Sequence, residues 1–301
     1  MTATTCGLLG NFLVLRRQAL IGDAISHVAL PGIVIGFLLA GTVATLPLML
    51  GAMGAAVISV GLIETIRRVG GLEIGAAIGV VFTAMFAAGI VLLEQTDASN
   101  AHIDAEHALY GNLESTLWLG LSSWTDLLTK DAYASMPREL GTIIGVTVAI
   151  SFQIVTFFKE LKITTFDPGL ATSLGLPVRT ISNVLIILVA VAAVAAFDAV
   201  GSILVIAMFI CPAATARMLT DNLARQLWLS VVVGTLAGIG GYILAAFGPQ
   251  AFGSQKALSA AGMIAVVAGL LQLFAMIAAP RYGILTRFIR YGRNKNIPNL
   301  P

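Results

Sequence analysis

Residues 16–41 read RRQALIGDAISHVALPGIVIGFLLAG, a stretch apolar enough to cross a membrane that nevertheless carries Asp23 and His27. Residues four positions apart in an α-helix lie on the same face, one turn above each other. A carboxylate and an imidazole inside a bilayer are costly unless they pair, face a wet cavity or hold an ion. The spacing therefore predicts a membrane helix that takes part in the transport of a cation.

The whole chain has the composition of a membrane protein. Hydrophobic residues make up 58% of its 301 residues, charged residues only 11%, and the mean hydropathy is +0.95. A soluble domain of this length would be far more polar. We predict a single all-α domain over residues 1–301, a polytopic bundle of about 8–9 transmembrane helices. The predicted spans are residues 18–41, 44–66, 72–94, 140–158, 180–197, 199–216, 227–247 and 257–279, preceded by a shorter apolar run at 3–15.

Basic residues predict the orientation of the bundle. Of the 17 lysine and arginine residues, all but Lys130, Arg138 and Lys256 fall on one side if the spans alternate. Short loops rich in Lys and Arg stay in the cytoplasm, so we expect the C-terminus inside the cell. Residues 95–139 then form an external loop, residues 159–179 a cytoplasmic loop, and residues 280–301 a basic cytoplasmic tail.

The sequence lacks the motifs of soluble enzymes. It contains no G-x-x-x-x-G-K-[ST] phosphate loop, no H-E-x-x-H helix, no C-x-x-C pair and no G-x-S-x-G turn. Three histidines and two cysteines are too few for a multi-histidine or thiolate zinc centre. We therefore expect no enzymatic activity and no permanently bound cofactor. Membrane orientation and anionic lipid explain the basic tail better than nucleic acid does.

Three interpretations of Asp23 and His27 follow from their position. The pair could satisfy itself, or the carboxylate could bond Arg16 or Arg17 at the cytoplasmic end of the span. Alternatively, a carboxylate oxygen and an imidazole nitrogen begin a coordination shell that suits Mn, Fe or Zn. Because two ligands do not complete a site, a second subunit on a two-fold axis would have to contribute another pair. A proton relay through the same two groups is the third interpretation.

A second group of candidate metal ligands lies in the predicted external loop. His102, Asp104, Glu106 and His107 could receive a metal ion outside the cell. A solvated loop explains the same residues, because Asp and Glu are what exposed loops contain. Both interpretations stay open.

Four further segments join the Asp23–His27 stretch in pointing to one family. In this order along the chain, the five segments resemble the permease subunits of bacterial ATP-binding-cassette importers for manganese, zinc and iron. The resemblance covers residues from about 16 to 290, essentially the whole chain. The four segments are LEIGAAIG at 72–79, ALYGNLE at 108–114, TFDPGLATSLG at 165–175, and VGSILVIA at 200–207 with PAATA at 212–216.

The resemblance implies a permease in the bacterial plasma (inner) membrane that imports a divalent transition metal by alternating access. Manganese is the first expectation, because the ALYGNLE segment looks like manganese-type members and the candidate ligands include no sulfur; zinc and then iron follow. The resemblance assigns metal contact to Asp23 and His27. It assigns a contribution to docking on the ATPase to the cytoplasmic stretch Phe166, Asp167, Pro168, Gly169, Leu170 and Ala171.

The same resemblance implies three kinds of partner. These are cytoplasmic ATP-binding-cassette ATPase subunits, a second permease subunit that is identical or a paralogue, and an external metal-binding protein that delivers the ion. The residues of the docking stretch agree, because Asp-Pro-Gly breaks the chain into a turn and a short helix from about Leu170 to Leu174 follows. Two rival functions are a permease for a chelated metal or siderophore complex and a proton-coupled secondary metal transporter.

Overall fold

The computed structural model describes residues 1–42, 45–95, 136–251, 258–280, 282–284 and 286. Within these ranges the regular elements are α-helices, and no strand occurs among the residues described. The helices are α1 (Thr2–Leu15), α2 (Leu20–Ala40), α3 (Thr45–Gly70), α4 (Ile74–Gln95), α5 (Arg138–Thr156), α6 (Phe158–Phe166), α7 (Pro168–Ser173), α8 (Val178–Val200), α9 (Ser202–Leu219), α10 (Leu223–Ala251) and α11 (Ala260–Ala278).

Eight helices in the described ranges, α2–α5 and α8–α11, are long and apolar enough to cross a membrane. This confirms the predicted polytopic bundle. One predicted boundary is wrong: the break expected after residue 197 lies at Gly201, where a φ of 80° ends α8. That backbone conformation favours glycine. The glycine, and not the polar residue Asp198, therefore separates α8 from α9.

The α2–α3 hairpin is packed through glycine. Helix α2 ends at Ala40 and is followed by Gly41, whose φ of 65° lies in the left-handed region. A Cβ atom on Gly51 of α3 would overlap the carbonyl oxygen of Gly32 of α2. The absence of side chains lets the two backbones approach closely, as small residues commonly do between membrane helices. Helices α4, α8 and α9 pack against the remaining sides of α2.

The short helix α1 lies at the centre of the bundle. It contacts α5, α6, α8, α9 and α10, and Leu9, Phe12 and Leu13 are almost completely buried. A Cβ atom on Gly10 would overlap the carbonyl oxygen of Phe209, so α1 and α9 are also in direct backbone contact. An apolar run too short for a full span therefore forms the most enclosed helix of the described bundle.

Uncharged polar side chains fasten α1 to its neighbours. The hydroxyl groups of Thr5 and Thr147 of α5 lie 2.6 Å apart. The side-chain amide of Asn11 donates to the hydroxyl of Ser230 at 2.6 Å and accepts from the amide of Gln226 at 2.8 Å, both on α10. All five side chains are buried, so each hydrogen bond satisfies groups that lipid and apolar packing would leave unpaired.

Arginine residues cluster at one end of the bundle. A cavity of about 390 Å³ lies between α2, α3 and α8, and Arg67, Arg68 and Arg179 line it. Glu64 forms ion pairs with Arg67 at 3.6 Å and with Arg68 at 2.5 Å. We call this end, defined by these three arginines, the basic end. The predicted external loop at 95–139 lies mostly outside the described residues, although α5 already begins at Arg138.

Candidate functional site

Helix α2 carries both residues of the predicted metal pair. It runs without interruption from Leu20 to Ala40, so Asp23 and His27 share one face, one turn apart. The side chain of Asp23 lies outside the described part of the structure. The imidazole of His27 is half-buried against α4, with its ring centroid 4.9 Å from that of Phe82 and 5.4 Å from that of Phe86.

Two phenylalanines of α4 hold the imidazole in place. Phe82 meets His27 at an interplanar angle of 57° and Phe86 at 79°, and such tilted and edge-on contacts are favourable between rings. Helix α4 comes this close because Gly89 lies against Pro31, where a Cβ atom would be 2.8 Å from the proline Cδ. The four-residue spacing of the phenylalanines marks one helix face, but nothing in the sequence connects that face to His27.

The structure does not extend the predicted ligand set. Among the described side chains, no group of three His, Cys, Asp or Glu residues lies close enough to hold a metal ion. The external cluster of His102, Asp104, Glu106 and His107 lies outside the described residues, so its assignment stays a prediction. Among the predicted ligands, the structure therefore describes the surroundings of His27 alone.

The cavity at the basic end lies beside a different face of α2. Ile21 and Ile25 line that cavity together with Gln18. Asp23 lies about 200° around the helix from Ile21, because each residue advances an α-helix by about 100°. The charged residues that line the cavity are three arginines and Glu64, so the local field is positive and disfavours retention of a cation. The geometry therefore separates the Asp23–His27 face from this cavity.

The predicted docking stretch folds into the short helix α7. The carboxylate of Asp167 accepts a hydrogen bond from the backbone N–H of Leu170 at 2.9 Å, and Pro168 occupies the start of the helix. An Asp cap followed by proline is a typical helix start, so α7 begins two residues before the predicted position. Ala171 is fully buried, whereas Phe166 and Leu170 are 52% and 48% exposed. The helix thus presents Leu170 outward, and Phe166, at the end of α6, is exposed just before it in the chain.

Arg16, the residue that follows α1, connects the turn between α1 and α2 to α6 and α8, the helices on either side of α7. Its guanidinium donates to the hydroxyl groups of Thr164 and Thr165 at 3.1 Å each and to that of Ser182 at 2.9 Å. The two threonines lie in the last turn of α6, which ends at Phe166, and Ser182 lies near the start of α8. The sequence does not predict these contacts, because residues about 150–166 positions away carry no signal of proximity to Arg16.

The comparison with known families identifies the chain. The family model described as "ABC 3 transport family" matches residues 1–117 and 133–279. The chain belongs to the ABC 3 transport family. It is 35% identical over 290 residues to the manganese transport system membrane protein MntD of Bacillus subtilis (strain 168), covering 96% of this chain and 92% of MntD. It is 38% identical over 287 residues to the zinc transport system membrane protein TroD of Treponema pallidum (strain Nichols), covering 95% of this chain and 74% of TroD.

A solved structure supports the family assignment at the level of the fold. PsaBC from Streptococcus pneumoniae, in complex with Fab, matches with a TM-score of 0.71 and 29% identity, over 98% of this chain and 91% of that chain. The likeness extends over the whole bundle. The predicted membership among permease subunits of ATP-binding-cassette importers is therefore confirmed, as is the helical multi-pass architecture.

Proposed function

We propose that this chain is the membrane permease subunit of an ATP-binding-cassette importer that takes up a divalent transition metal ion by alternating access. The observation that carries the proposal is the placement of Asp23 and His27 one turn apart on a membrane-spanning helix. Ionisable residues in such helices are costly and are retained for function. Named relatives in the family are membrane proteins of manganese and zinc transport systems, which favours a metal ion as the cargo.

The chemistry of the two ligands ranks the metals. A carboxylate oxygen with an imidazole nitrogen, without sulfur, suits Mn²⁺, Zn²⁺ and Fe²⁺. We place Mn²⁺ first and Zn²⁺ second because relatives of the chain are named for manganese and for zinc transport. The ion is cargo rather than a cofactor, so the pair must bind it firmly enough to select it and weakly enough to release it. The aromatic contacts of His27 serve this purpose, because an imidazole held in one position loses little freedom when it binds the ion.

A second permease subunit completes the site in this proposal. One carboxylate and one imidazole leave a divalent ion with too few protein ligands. Two copies related by a two-fold axis would supply two of each. The partner is either an identical chain or a paralogue with the same pair, and the external metal-binding protein delivers the ion to the side opposite the basic end. The cluster of His102, Asp104, Glu106 and His107 is proposed as a receiving surface on that side.

Energy comes from separate ATPase subunits that dock at the basic end. Helix α7 offers the apolar side chain of Leu170 outward, and Phe166, the last residue of α6, is exposed just before it in the chain. A helix that seats in a groove of a partner presents such apolar side chains. The basic end faces the cytoplasm in this proposal, because arginine-rich ends of membrane proteins stay inside the cell. The C-terminal tail is then cytoplasmic and the membrane is the bacterial plasma membrane.

Competition among metals in proteoliposomes tests this function. The permease is reconstituted with its ATPase and delivery protein, and uptake of Mn²⁺ is measured with Zn²⁺ or Fe²⁺ as competitor. We expect uptake that requires ATP and saturates with Mn²⁺, with Zn²⁺ as the stronger competitor. Uptake by the permease without any ATPase, driven by a pH gradient, would contradict the proposal and favour a proton-coupled transporter. Uptake restricted to a chelated metal would contradict it in favour of the other rival.

A further inference from the structure

The guanidinium of Arg16 bonds to both ends of the segment that carries α7. Thr164 and Thr165 lie in the last turn of α6, just before α7, and Ser182 lies nine positions after α7 ends, near the start of α8. Nε and Nη2 of Arg16 reach the two threonines, while Nη1 reaches the serine. One side chain therefore holds together the two stems from which α7 projects.

The same residue lies in the turn from which α2 starts. The backbone N–H of Gln18 donates to the carbonyl of Leu13 at 2.8 Å, which folds the chain back tightly after α1. Arg17 has a φ of 57°, a left-handed conformation that is uncommon for a residue other than glycine. Helix α2 begins at Leu20, so Asp23 lies in its first turn. A displacement of Arg16 is thus passed to Asp23 through a short and constrained connection.

Arg16 directly follows α1, a helix that is held firmly in the bundle. Helix α1 is fastened along its length by Thr5 and Asn11 to α5 and α10. The acceptors of Arg16, by contrast, are neutral hydroxyl groups, which bind a guanidinium less strongly than a carboxylate does. The hydroxyl of Thr164 donates to the carbonyl of Glu160 at 2.8 Å and keeps its lone pairs for Arg16.

Arg16 stays charged while it is held in this way. Partial burial lowers the pKa of its guanidinium, yet arginine keeps its proton at neutral pH. At the membrane boundary, the charged guanidinium can exchange its hydrogen bonds to these hydroxyl groups for hydrogen bonds to water when α6 and α8 move apart. A contact of this kind can be broken and remade during a transport cycle.

We propose that Arg16 is the positioning residue through which movement of α7 is transmitted to the helix that carries Asp23 and His27. This inference rests on the proposed function, in which α7 receives the ATPase. When the ATPase displaces the stems of α7, the hydrogen bonds of Arg16 to Thr164, Thr165 and Ser182 carry the displacement to the start of α2. Arg16 touches neither the metal ion nor the ATP.

Replacing Arg16 by lysine tests the link. Arg16→Lys keeps the charge, but an ammonium group lacks the planar fork that reaches both stems at once. The assay is Mn²⁺ imported per ATP hydrolysed, in proteoliposomes that contain the permease, its ATPase and its delivery protein. We expect this ratio to fall at least about fivefold, while Mn²⁺ binding by the permease and its association with the ATPase change less than about twofold. A ratio equal to that of the wild type overturns the inference, as does a parallel loss of Mn²⁺ binding, which indicates structural damage.

Matched variants keep the outcome interpretable. Arg217→Lys is the control, because Arg217 lies in the last turn of α9 and pairs with Asp221, four positions further along the chain; its ratio should match the wild type. If Arg16→Lys does not assemble, Thr165→Val with Ser182→Ala removes one acceptor from each stem, and a wild-type ratio in that double variant overturns the inference. Absence of ATP-dependent Mn²⁺ uptake in the wild type is a failure of the proposed function instead.

Discussion

Helices α1 and α2 are adjacent in the chain and use polar residues in opposite ways. The polar side chains of α1, Thr5 and Asn11, are uncharged, fully buried and hydrogen-bonded to neighbouring helices. Helix α2 carries the ionisable pair Asp23 and His27, and the imidazole contacts aromatic rings. In a membrane, neutral polar groups fasten helices together, whereas ionisable groups mark the path of an ion. We therefore propose that α1 anchors the bundle and that α2 handles the ion.

The largest effect is expected where α2 and α3 touch backbone to backbone. In Gly51→Ala, the new Cβ would overlap the carbonyl of Gly32, and no rotamer change relieves an overlap with backbone. We expect a loss of about 3 kcal/mol or more in the free energy of unfolding, measured as a lower Tm in detergent. Gly54→Ala is the matched control on the same helix, where a Cβ meets nothing within 4 Å. Equal Tm values for the two variants would show that the close approach does not stabilise α2.

The anchoring role of α1 is tested by Asn11→Ala. The substitution leaves the buried side chains of Gln226 and Ser230 with fewer partners, at a cost of about 1–3 kcal/mol in the free energy of unfolding. We expect a lower Tm but unchanged preference among Mn²⁺, Zn²⁺ and Fe²⁺ in the protein that remains folded. Thr235→Ala on α10 serves as control, because that exposed hydroxyl bonds to the carbonyl of Val231 on its own helix. A change in metal preference in Asn11→Ala would show that α1 also takes part in ion handling. It would contradict the proposed difference between the roles of α1 and α2.

The docking of α7 is tested through its cap. Asp167→Ala removes the side chain that accepts from the N–H of Leu170, and loss of such a cap costs about 1 kcal/mol. We expect affinity for the ATPase to fall about fivefold, measured by binding in detergent. Ser259→Ala removes the equivalent cap of α11, which accepts from Gly262, and should leave that affinity unchanged. If both variants weaken ATPase binding equally, α7 has no special part in docking.

The smallest effect is expected at the rings beside His27. Phe82→Leu keeps apolar packing but loses the aromatic contact with the imidazole, worth about 0.5–1 kcal/mol. The KM for Mn²⁺ in ATP-dependent uptake should rise about two- to fivefold, with little change in maximal rate. Phe274→Leu, at an exposed position of α11, is the control. An unchanged KM in Phe82→Leu would show that the rings do not position the imidazole for binding.

Most of the bundle follows from the sequence, because long apolar runs identify membrane helices by themselves. The errors lie at helix ends. The predicted spans leave a break at residue 198, but the helix continues to Val200 because the left-handed backbone occurs at Gly201. The central position of α1 also could not be predicted. Its run is too short for a span, and its burial depends on five neighbouring helices that meet it only in the folded chain.

Only the part of the candidate site that depends on local spacing can be predicted from the sequence. The spacing of Asp23 and His27 places them on one face of a helix, since that relation is local in the chain. The contact of His27 with Phe82, and that of Arg16 with Ser182, joins residues far apart in sequence. Local periodicity shows which residues share one face of a helix. It does not show which face of a neighbouring helix packs against them. That information resides in the packing of glycines such as Gly89 against Pro31.

The central claim, that Asp23 and His27 hold the imported ion, is tested most directly by ATP-dependent uptake of Mn²⁺ in Asp23→Asn and His27→Ala. Both variants are reconstituted with the ATPase and the delivery protein, and assembly is verified by size-exclusion chromatography. We predict that uptake falls at least about tenfold in each while the complex remains intact. Uptake at the wild-type rate in both variants would contradict the claim.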